Sequence, residues 1–247
     1  MSGEVVIVTG AARGLGRAYA LALAREGYSV VVGDVADTAP VVTEIEEAGG
    51  RAVGVPVDVA DPASAQELAE RAVERFGRID VLVNNAGYMT AIVKQPFEDI
   101  PVEEWDHAMA VNVRGTWLCC RAVAPVMKRQ RSGKIVNTSS ATVASGVPGF
   151  LHYVASKAAI VGLTRALARE LGEWGITVNT VSPDYIPHDP GYHARQPEMA
   201  GFIRDQRCLK RDATPEDVVG TILYLAGHGS DFVTGQDLWV NGGRLFH

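Results

Sequence analysis

The sequence predicts an α/β domain built on a doubly wound parallel sheet of seven strands, with helices on both faces. Three observations predict it. Short apolar, β-branched runs recur along the chain, and helical patterns fill the stretches between them. The first run, Val5-Val6-Ile7-Val8, leads into the glycine-rich turn Gly10-Ala11-Ala12-Arg13-Gly14-Leu15-Gly16 and then a helical pattern through Ala18, Leu21, Ala22 and Arg25. The chain has 247 residues, 47% of them hydrophobic, enough for one sizeable core. No repeat, linker or low-complexity stretch divides it, so residues 1–247 read as a single domain.

Taken in order, strands are expected at Val5–Val8, Ser29–Gly33, Ala52–Pro56, Val81–Asn84, Lys134–Thr138, Thr177–Val181 and Asp237–Val240. Each is a short apolar run of the kind buried on both faces of a parallel sheet. Helices are expected to include Ala63–Phe76, Val102–Val113, Thr116–Arg129, Tyr153–Trp174 and Pro215–Ala226. The last opens on Thr214-Pro215-Glu216-Asp217, a capping residue followed by proline at the first helical position. Between strand six and that helix, residues 183–213 hold several prolines and Gly191 and read as irregular. A long irregular stretch in a compact domain is usually a lid or binding loop.

Composition excludes several classes. No apolar stretch approaches the roughly 20 residues a membrane span needs. The chain begins almost directly with a strand, so no signal peptide is expected. The net charge of −6 without a basic stripe argues against nucleic acid. Of three cysteines two are the neighbours Cys119 and Cys120, which suits neither a disulfide framework nor a metal site. A reducing, cytoplasmic location is expected.

The order strand, glycine turn, helix is the context a dinucleotide site requires. Glycines let the backbone approach a pyrophosphate, and the helix amino terminus offers unpaired N–H groups. The second strand ends at Asp34. A carboxylate there accepts hydrogen bonds from the ribose hydroxyls and repels a 2′-phosphate, which favours NAD over NADP. Arg13, inside the turn, pulls the other way, because an arginine can swing toward that phosphate or out into solvent.

Further along, Tyr153-Val154-Ala155-Ser156-Lys157 places a phenol and an ammonium on one helix face. A free tyrosine, with a pKa of about 10, is a poor acid–base group at neutral pH. A neighbouring cation favours the phenolate and brings it toward the working range. Alone, such a pair is most often a solvated helix face. Here it is accompanied by Ser140 and Asn112 upstream and by the glycine turn.

In these motifs and their order the chain resembles the short-chain dehydrogenase/reductase family, single-domain branch, nearly end to end. The family's Thr-Gly-x-x-x-Gly-x-Gly stands as Thr9 to Gly16 and its Asn-Asn-Ala-Gly as Asn84-Asn85-Ala86-Gly87. Its catalytic Asn, Ser, Tyr and Lys map onto Asn112, Ser140, Tyr153 and Lys157. The resemblance implies a Rossmann fold and a cofactor site formed by Thr9, Gly10, Arg13, Gly14, Leu15, Gly16, Asp34, Asp58, Val59, Asn85, Ala86, Gly87, Tyr153, Lys157, Pro183, Ile186 and His188. It gives Asp58 the adenine amino group, Lys157 the ribose hydroxyls, and Asn112 a water linking Lys157 to solvent. It places the substrate loop at about 183–213. The substrate-contacting set is Ser140, Val143, Phe150, Tyr153 and Tyr185, with Tyr88, Met89 and His152 flanking it, which suits a secondary alcohol or ketone.

The chain departs from the family at Pro183-Asp184-Tyr185-Ile186-Pro187-His188, where Asp184 stands for a glycine and His188 for a threonine that helps hold the carboxamide. His188 is expected to take over that contact, and Asp184 to fix the loop through local backbone hydrogen bonds. For Tyr185, Tyr192, Phe202, His193 and Arg195, packing of the lid and contact with substrate both remain open.

The expected activity is NAD-dependent interconversion of a secondary alcohol and a ketone. One alternative is an NADPH-dependent 3-oxoacyl-[acyl-carrier-protein] reductase, for which Lys128-Arg129-Gln130-Arg131 could dock the carrier. The plainer reading is that these cations complement a helix carboxyl terminus. Another, of a different class, is a nucleotide-sensing module without turnover. The closing Leu245-Phe246 pair implies, by resemblance, a homotetramer. No nucleic acid, membrane or metal partner is expected.

Overall fold

The computed structural model describes residues 3–187 and 197–246. Its strands are β1 (Val5–Thr9), β2 (Ser29–Asp34), β3 (Arg51–Pro56), β4 (Val81–Asn84), β5 (Gly133–Thr138), β6 (Ile176–Pro183) and β7 (Asp237–Val240). They form one sheet in the order β3-β2-β1-β4-β5-β6-β7, with parallel pairing throughout. The direction of winding reverses between β1 and β4, and a crevice opens there at the carboxyl ends of the strands.

The continuous apolar runs follow from burial on both faces. Val5 and Ile7 point to one side, onto Leu68 and Ala72 of α3 (Pro62–Phe76) and Leu118 and Met127 of α5 (Thr116–Gln130). Val6 and Val8 point to the other, onto Tyr19 and Leu23 of α1 (Gly14–Arg25), Ile45 of α2 (Ala39–Glu47), and a later helix through Val218 and Ile222. Period-2 alternation thus serves two cores at once.

Helix α4 (Val102–Met109) passes into α5 through a π-helical turn, Ala110–Gly115, that contains Asn112. After α6 (Thr142–Ser145), α7 (Leu151–Leu171) starts two residues before Tyr153. The segment read as irregular is not wholly so: α8 (Pro197–Gln206) lies inside it. Met199, Phe202, Ile203 and Gln206 recur at spacings of three and one, the stripe of an amphipathic helix laid over a cavity. At the start of α9 (Glu216–Ala226) Asp217 Oδ2 accepts from the Thr214 N–H at 2.9 Å, the reciprocal half of a capping box. Among the described residues no helix is long and apolar enough to cross a membrane.

Candidate active site

A cavity of about 1360 Å³ occupies the crevice, larger than the roughly 300–1,000 Å³ of a single-ligand pocket. One end lies over the turn between β1 and α1. Gly10, with φ 64°, sits so close to the segment after β4 that a Cβ would fall 2.7 Å from Ala86 Cα. A Cβ at Gly16 would collide with the Gly10 carbonyl oxygen. The turn therefore closes only with glycine at both positions.

The turn is tied to β4 by side chains. Asn85 Nδ2 donates to the carbonyls of Thr9 (3.1 Å) and Gly10 (3.0 Å), while Thr9 Oγ1 accepts from the N–H groups of Asn85 and Ala86, both at 3.1 Å. Thr9 and Gly16 are buried behind the cavity wall and hold its shape; Gly10, Arg13, Gly14, Leu15, Asn85, Ala86 and Gly87 form the wall itself.

Asp34 ends β2 on the same wall, its carboxylate accepting from the N–H groups of Ala12 (Oδ2, 2.9 Å) and Ala36 (Oδ1, 2.9 Å). Arg13, which precedes α1, is exposed and lines the same wall. Asp58 and Val59 follow β3 into the cavity, and Asp58 is fixed by accepting from the Ala60 N–H at 2.9 Å.

The four candidate catalytic side chains converge from three elements. Lys157 and Tyr153 sit one turn apart on α7, with the ammonium 5.8 Å from the centroid of the phenol ring. Lys157 Nζ donates to the Thr138 carbonyl at 2.8 Å, and burial lowers its pKa to about 8. Ser140, just beyond β5, accepts from the Thr142 N–H (3.2 Å) and hydroxyl (3.0 Å), which leaves its own proton to be donated elsewhere. Asn112 stands behind the wall. Its amide clamps the backbone of Tyr88 through Oδ1 (2.7 Å) and Nδ2 (3.2 Å), and Nδ2 also reaches Ser156 Oγ at 2.9 Å. Gly87 lies between them, where a Cβ would be in ordinary contact with Asn112 Oδ1 at 3.4 Å and Lys157 Nζ at 3.5 Å.

The other end of the cavity is walled by Tyr88, Met89, Phe150, Tyr185 and α8. Two expected neighbours of the substrate are displaced from it. Val143 does not line the cavity, because its helical turn presents Thr142 and Ala144 instead. His152 is fully buried, with Nε2 3.3 Å from Glu104 Oε1 but outside hydrogen-bond geometry. One helical position separates it from Tyr153, and that rotation turns it away. Pro183 and Ile186 line the cavity as expected; His188, Tyr192, His193 and Arg195 lie outside the described residues. Phe202, open in the sequence between lid packing and substrate contact, lines the cavity, and so do Lys94, His107, its α8 neighbours Met199, Ile203 and Gln206, and Arg244 and Leu245 of the tail, for which the sequence gives no such expectation. Only the α8 stripe carried a signal, its helical spacing.

Asp184 is a correction. Instead of local backbone bonds, its carboxylate receives two arginines: Arg207 Nη2 at 3.1 Å on Oδ2, and Arg244 Nη1 at 2.8 Å on Oδ1. Arg207 also donates to the carbonyls of Tyr185 (2.6 Å) and Arg211 (3.1 Å). All three charged side chains are 10% exposed or less. A glycine could not join β6, the segment after α8 and the carboxyl-terminal tail in this way.

The chain is similar to known proteins along nearly its whole length. A family model described as Enoyl-(Acyl carrier protein) reductase matches residues 10–244. The chain is 40% identical to a 3-oxoacyl-[acyl-carrier-protein] reductase FabG of Staphylococcus epidermidis over 240 residues, covering 96% of this chain and 97% of that one. It is 38% identical to the (2S)-[(R)-hydroxy(phenyl)methyl]succinyl-CoA dehydrogenase subunit BbsD of Thauera aromatica, covering 98% and 96%. A solved structure titled a putative short-chain alcohol dehydrogenase from Sinorhizobium meliloti superposes with a TM-score of 0.93 at 31% identity, covering 99% of this chain and 97% of that one. The chain belongs to the short-chain dehydrogenase/reductase family and is an oxidoreductase of that family.

Proposed function

We propose that the protein interconverts a secondary alcohol and a ketone with NAD as cofactor. The observation that carries this is convergence: Tyr153, Lys157 and Ser140 line the same cavity as the glycine turn and Asp34. The glycine-lined floor, formed by Gly10, Gly14 and Gly87, leaves backbone for a dinucleotide to approach closely. Gly14 and Leu15 would hold the pyrophosphate, Asp34 and Lys157 the two riboses, Asp58 and Val59 the adenine, and Pro183, Ile186 and His188 the nicotinamide end. When bound, the nicotinamide supplies or takes the hydride.

Tyr153 gives its phenolic proton to the forming alkoxide, or takes one from the alcohol. Ser140, whose lone pairs are occupied by Thr142, donates its hydroxyl proton to the substrate oxygen and orients it. Lys157, desolvated beside the phenol, favours its ionised form. Asn112 keeps Tyr88 and α7 in register through its amide, and the water-anchoring role is proposed alongside that one.

A second reading, reduction of a 3-oxoacyl carrier-protein thioester with NADPH, is favoured more directly by the curated relatives' names than the first is. Asp34 opposes its cofactor. The basic run offered for docking is engaged otherwise: Lys128 and Arg131 each stand 5.4 Å from the Trp174 ring, and Gln130 bonds the Ile79 backbone. The test is kcat/KM for a panel of secondary alcohols, free ketones and 3-oxoacyl thioesters with both cofactors. Preference for NAD and free ketones supports the first reading, and preference for NADPH and thioesters replaces it with the second. Binding without any turnover leaves a nucleotide-sensing module. A homotetramer, with the exposed Phe246 at its interface, belongs to the same proposal and is checked by light scattering.

A further inference from the structure

At the substrate end of the cavity a lysine stands beside an apolar wall. Ile92, Phe150 and Tyr153 pack with Tyr88, Met89 and Tyr185 into a small separate core. Lys94 enters this wall from the segment after β4 and lines the cavity. Its ammonium stands 5.3 Å from the centroid of the Phe150 ring, and that ring stands 5.6 Å from the ring of Tyr153. One aromatic ring therefore separates a lysine from the candidate acid–base group.

The position is built rather than incidental. Gly149, with φ 77°, precedes Phe150, and its carbonyl accepts from the Gln95 N–H at 3.4 Å. A Cβ at Gly149 would lie 3.0 Å from Lys94 Cβ. The stem of Lys94 is thus pressed against the loop that leads into α7. Partial desolvation lowers the lysine pKa below its ordinary value, the mark of an ammonium drawn out of water.

Among the described residues no acid lining the cavity answers it. The carboxylates on the wall are Asp34 and Asp58, by the glycine turn, and Asp184, already paired with two arginines. Glu104 accepts from Gln95 Nε2 at 3.1 Å and borders His152. Among the described residues no ion pair includes Lys94. A half-desolvated cation whose neighbour is an aromatic face is suited to an incoming anion.

We infer that Lys94 selects substrates bearing a carboxylate on their own body, a ketone or secondary alcohol whose apolar or ring-bearing frame spans from Tyr153 past Phe150. The inference rests on the proposed alcohol–ketone chemistry and names its substrate class. A phosphopantetheine thioester carries its phosphate at the end of a long arm, beyond the span of one ring, so Lys94 separates small oxo acids from carrier-bound chains.

The experiment compares 4-acetylbenzoate with its methyl ester, and 4-oxo-4-phenylbutanoate with its methyl ester, in wild type, Lys94→Met and Lys94→Arg. The wild type is expected to favour each acid over its ester at least tenfold in kcat/KM. Lys94→Met should bring that ratio near one, and Lys94→Arg should restore most of it. If Lys94 only held the loop, acid and ester would lose activity alike and the ratio would stay, which overturns the inference. A wild type that treats acid and ester equally, or accepts only uncharged ketones, overturns it too. Should no ketone be turned over at all, the proposed function fails first. Calorimetric binding of 4-acetylbenzoate to the NADH-bound protein then reads Lys94 separately: tenfold weaker binding in Lys94→Met supports the inference, and equal binding ends it.

Discussion

The two ends of the cavity are made of different material. At the dinucleotide end the wall is backbone and short side chains, contributed by turns that each directly follow a strand: Gly10 and Gly14 after β1, Asp34 at the end of β2, Asp58 after β3, Ala86 and Gly87 after β4. At the substrate end it is long side chains from segments distant in sequence, such as Lys94, Met199 and Arg244. The first end is a property of a repeated local unit, and its geometry follows wherever a strand, a small-residue turn and a helix recur. The second exists only after β6, α8 and the tail have met at Asp184. Substrate choice can therefore change at one end while the cofactor grip at the other persists.

Between the two ends stands Tyr153, and its removal should have the largest effect. Tyr153→Phe keeps the ring and loses the proton, so kcat should fall by ~10²–10⁴, with NADH binding by fluorescence nearly intact. Turnover near the wild-type rate would remove the boundary between the two ends.

Next in size is the hub. Asp184→Ala leaves the buried Arg207 without its carboxylate, and urea unfolding should show a loss of about 3–5 kcal/mol. If the ends are as separate as their construction suggests, ADP-ribose should bind the folded variant as it binds wild type. A parallel loss of ADP-ribose affinity would mean that the hub also shapes the dinucleotide end.

A third effect is smaller and depends on pH. Burial depresses the Lys157 pKa to about 8 in the folded cofactor-free protein, against 10.5 for the ordinary side chain. Below pH 8 both folded and unfolded chains carry the proton, and folding bears the full desolvation cost. Between pH 8 and 10.5 the folded state releases it while the unfolded state keeps it, so stability rises with pH. Relative to Lys157→Met, wild type should gain on the order of a few kcal/mol across that window. A flat difference would show that the ammonium is better solvated than its burial implies.

The smallest expected change sharpens the dinucleotide end alone. Asp34→Ser removes the carboxylate at the end of β2 and should shift the NAD-to-NADP ratio of kcat/KM about tenfold toward NADP, roughly 1.4 kcal/mol. Wild type working better with NADP would reverse the weight given to Asp34 over Arg13.

Much of the molecule was legible in advance because its signals are local. Each strand run was readable from apolar stretches such as Val30-Val31-Val32, and the Tyr153–Lys157 pair from helical spacing. Asn112 was readable as a position, but its clamp on the Tyr88 backbone depends on a π-helical turn that no local pattern announces. Helix α8 is hard to read from sequence because flanking prolines outweigh its stripe of Met199, Phe202 and Ile203. Val143 and His152 neighbour Ser140 and Tyr153 in sequence but not in the cavity, since one step along a helix turns a side chain by about 100°.

By itself the sequence determined the strand and helix pattern, the glycine turn and the chemical identity of the four convergent side chains. These rest on periodicity, φ preference and residue type, which adjacent residues settle among themselves. Tertiary structure alone decided what stands in place of the family glycine. A lone Asp184 reads as a turn former, and becomes an ion-pair junction only when Arg207 and Arg244, 23 and 60 residues away, arrive from other elements. The same holds for Lys94. Its side chain is an ordinary surface lysine until Gly149 and Phe150 fold against it, because burial and Coulomb partners depend on distance in space rather than along the chain.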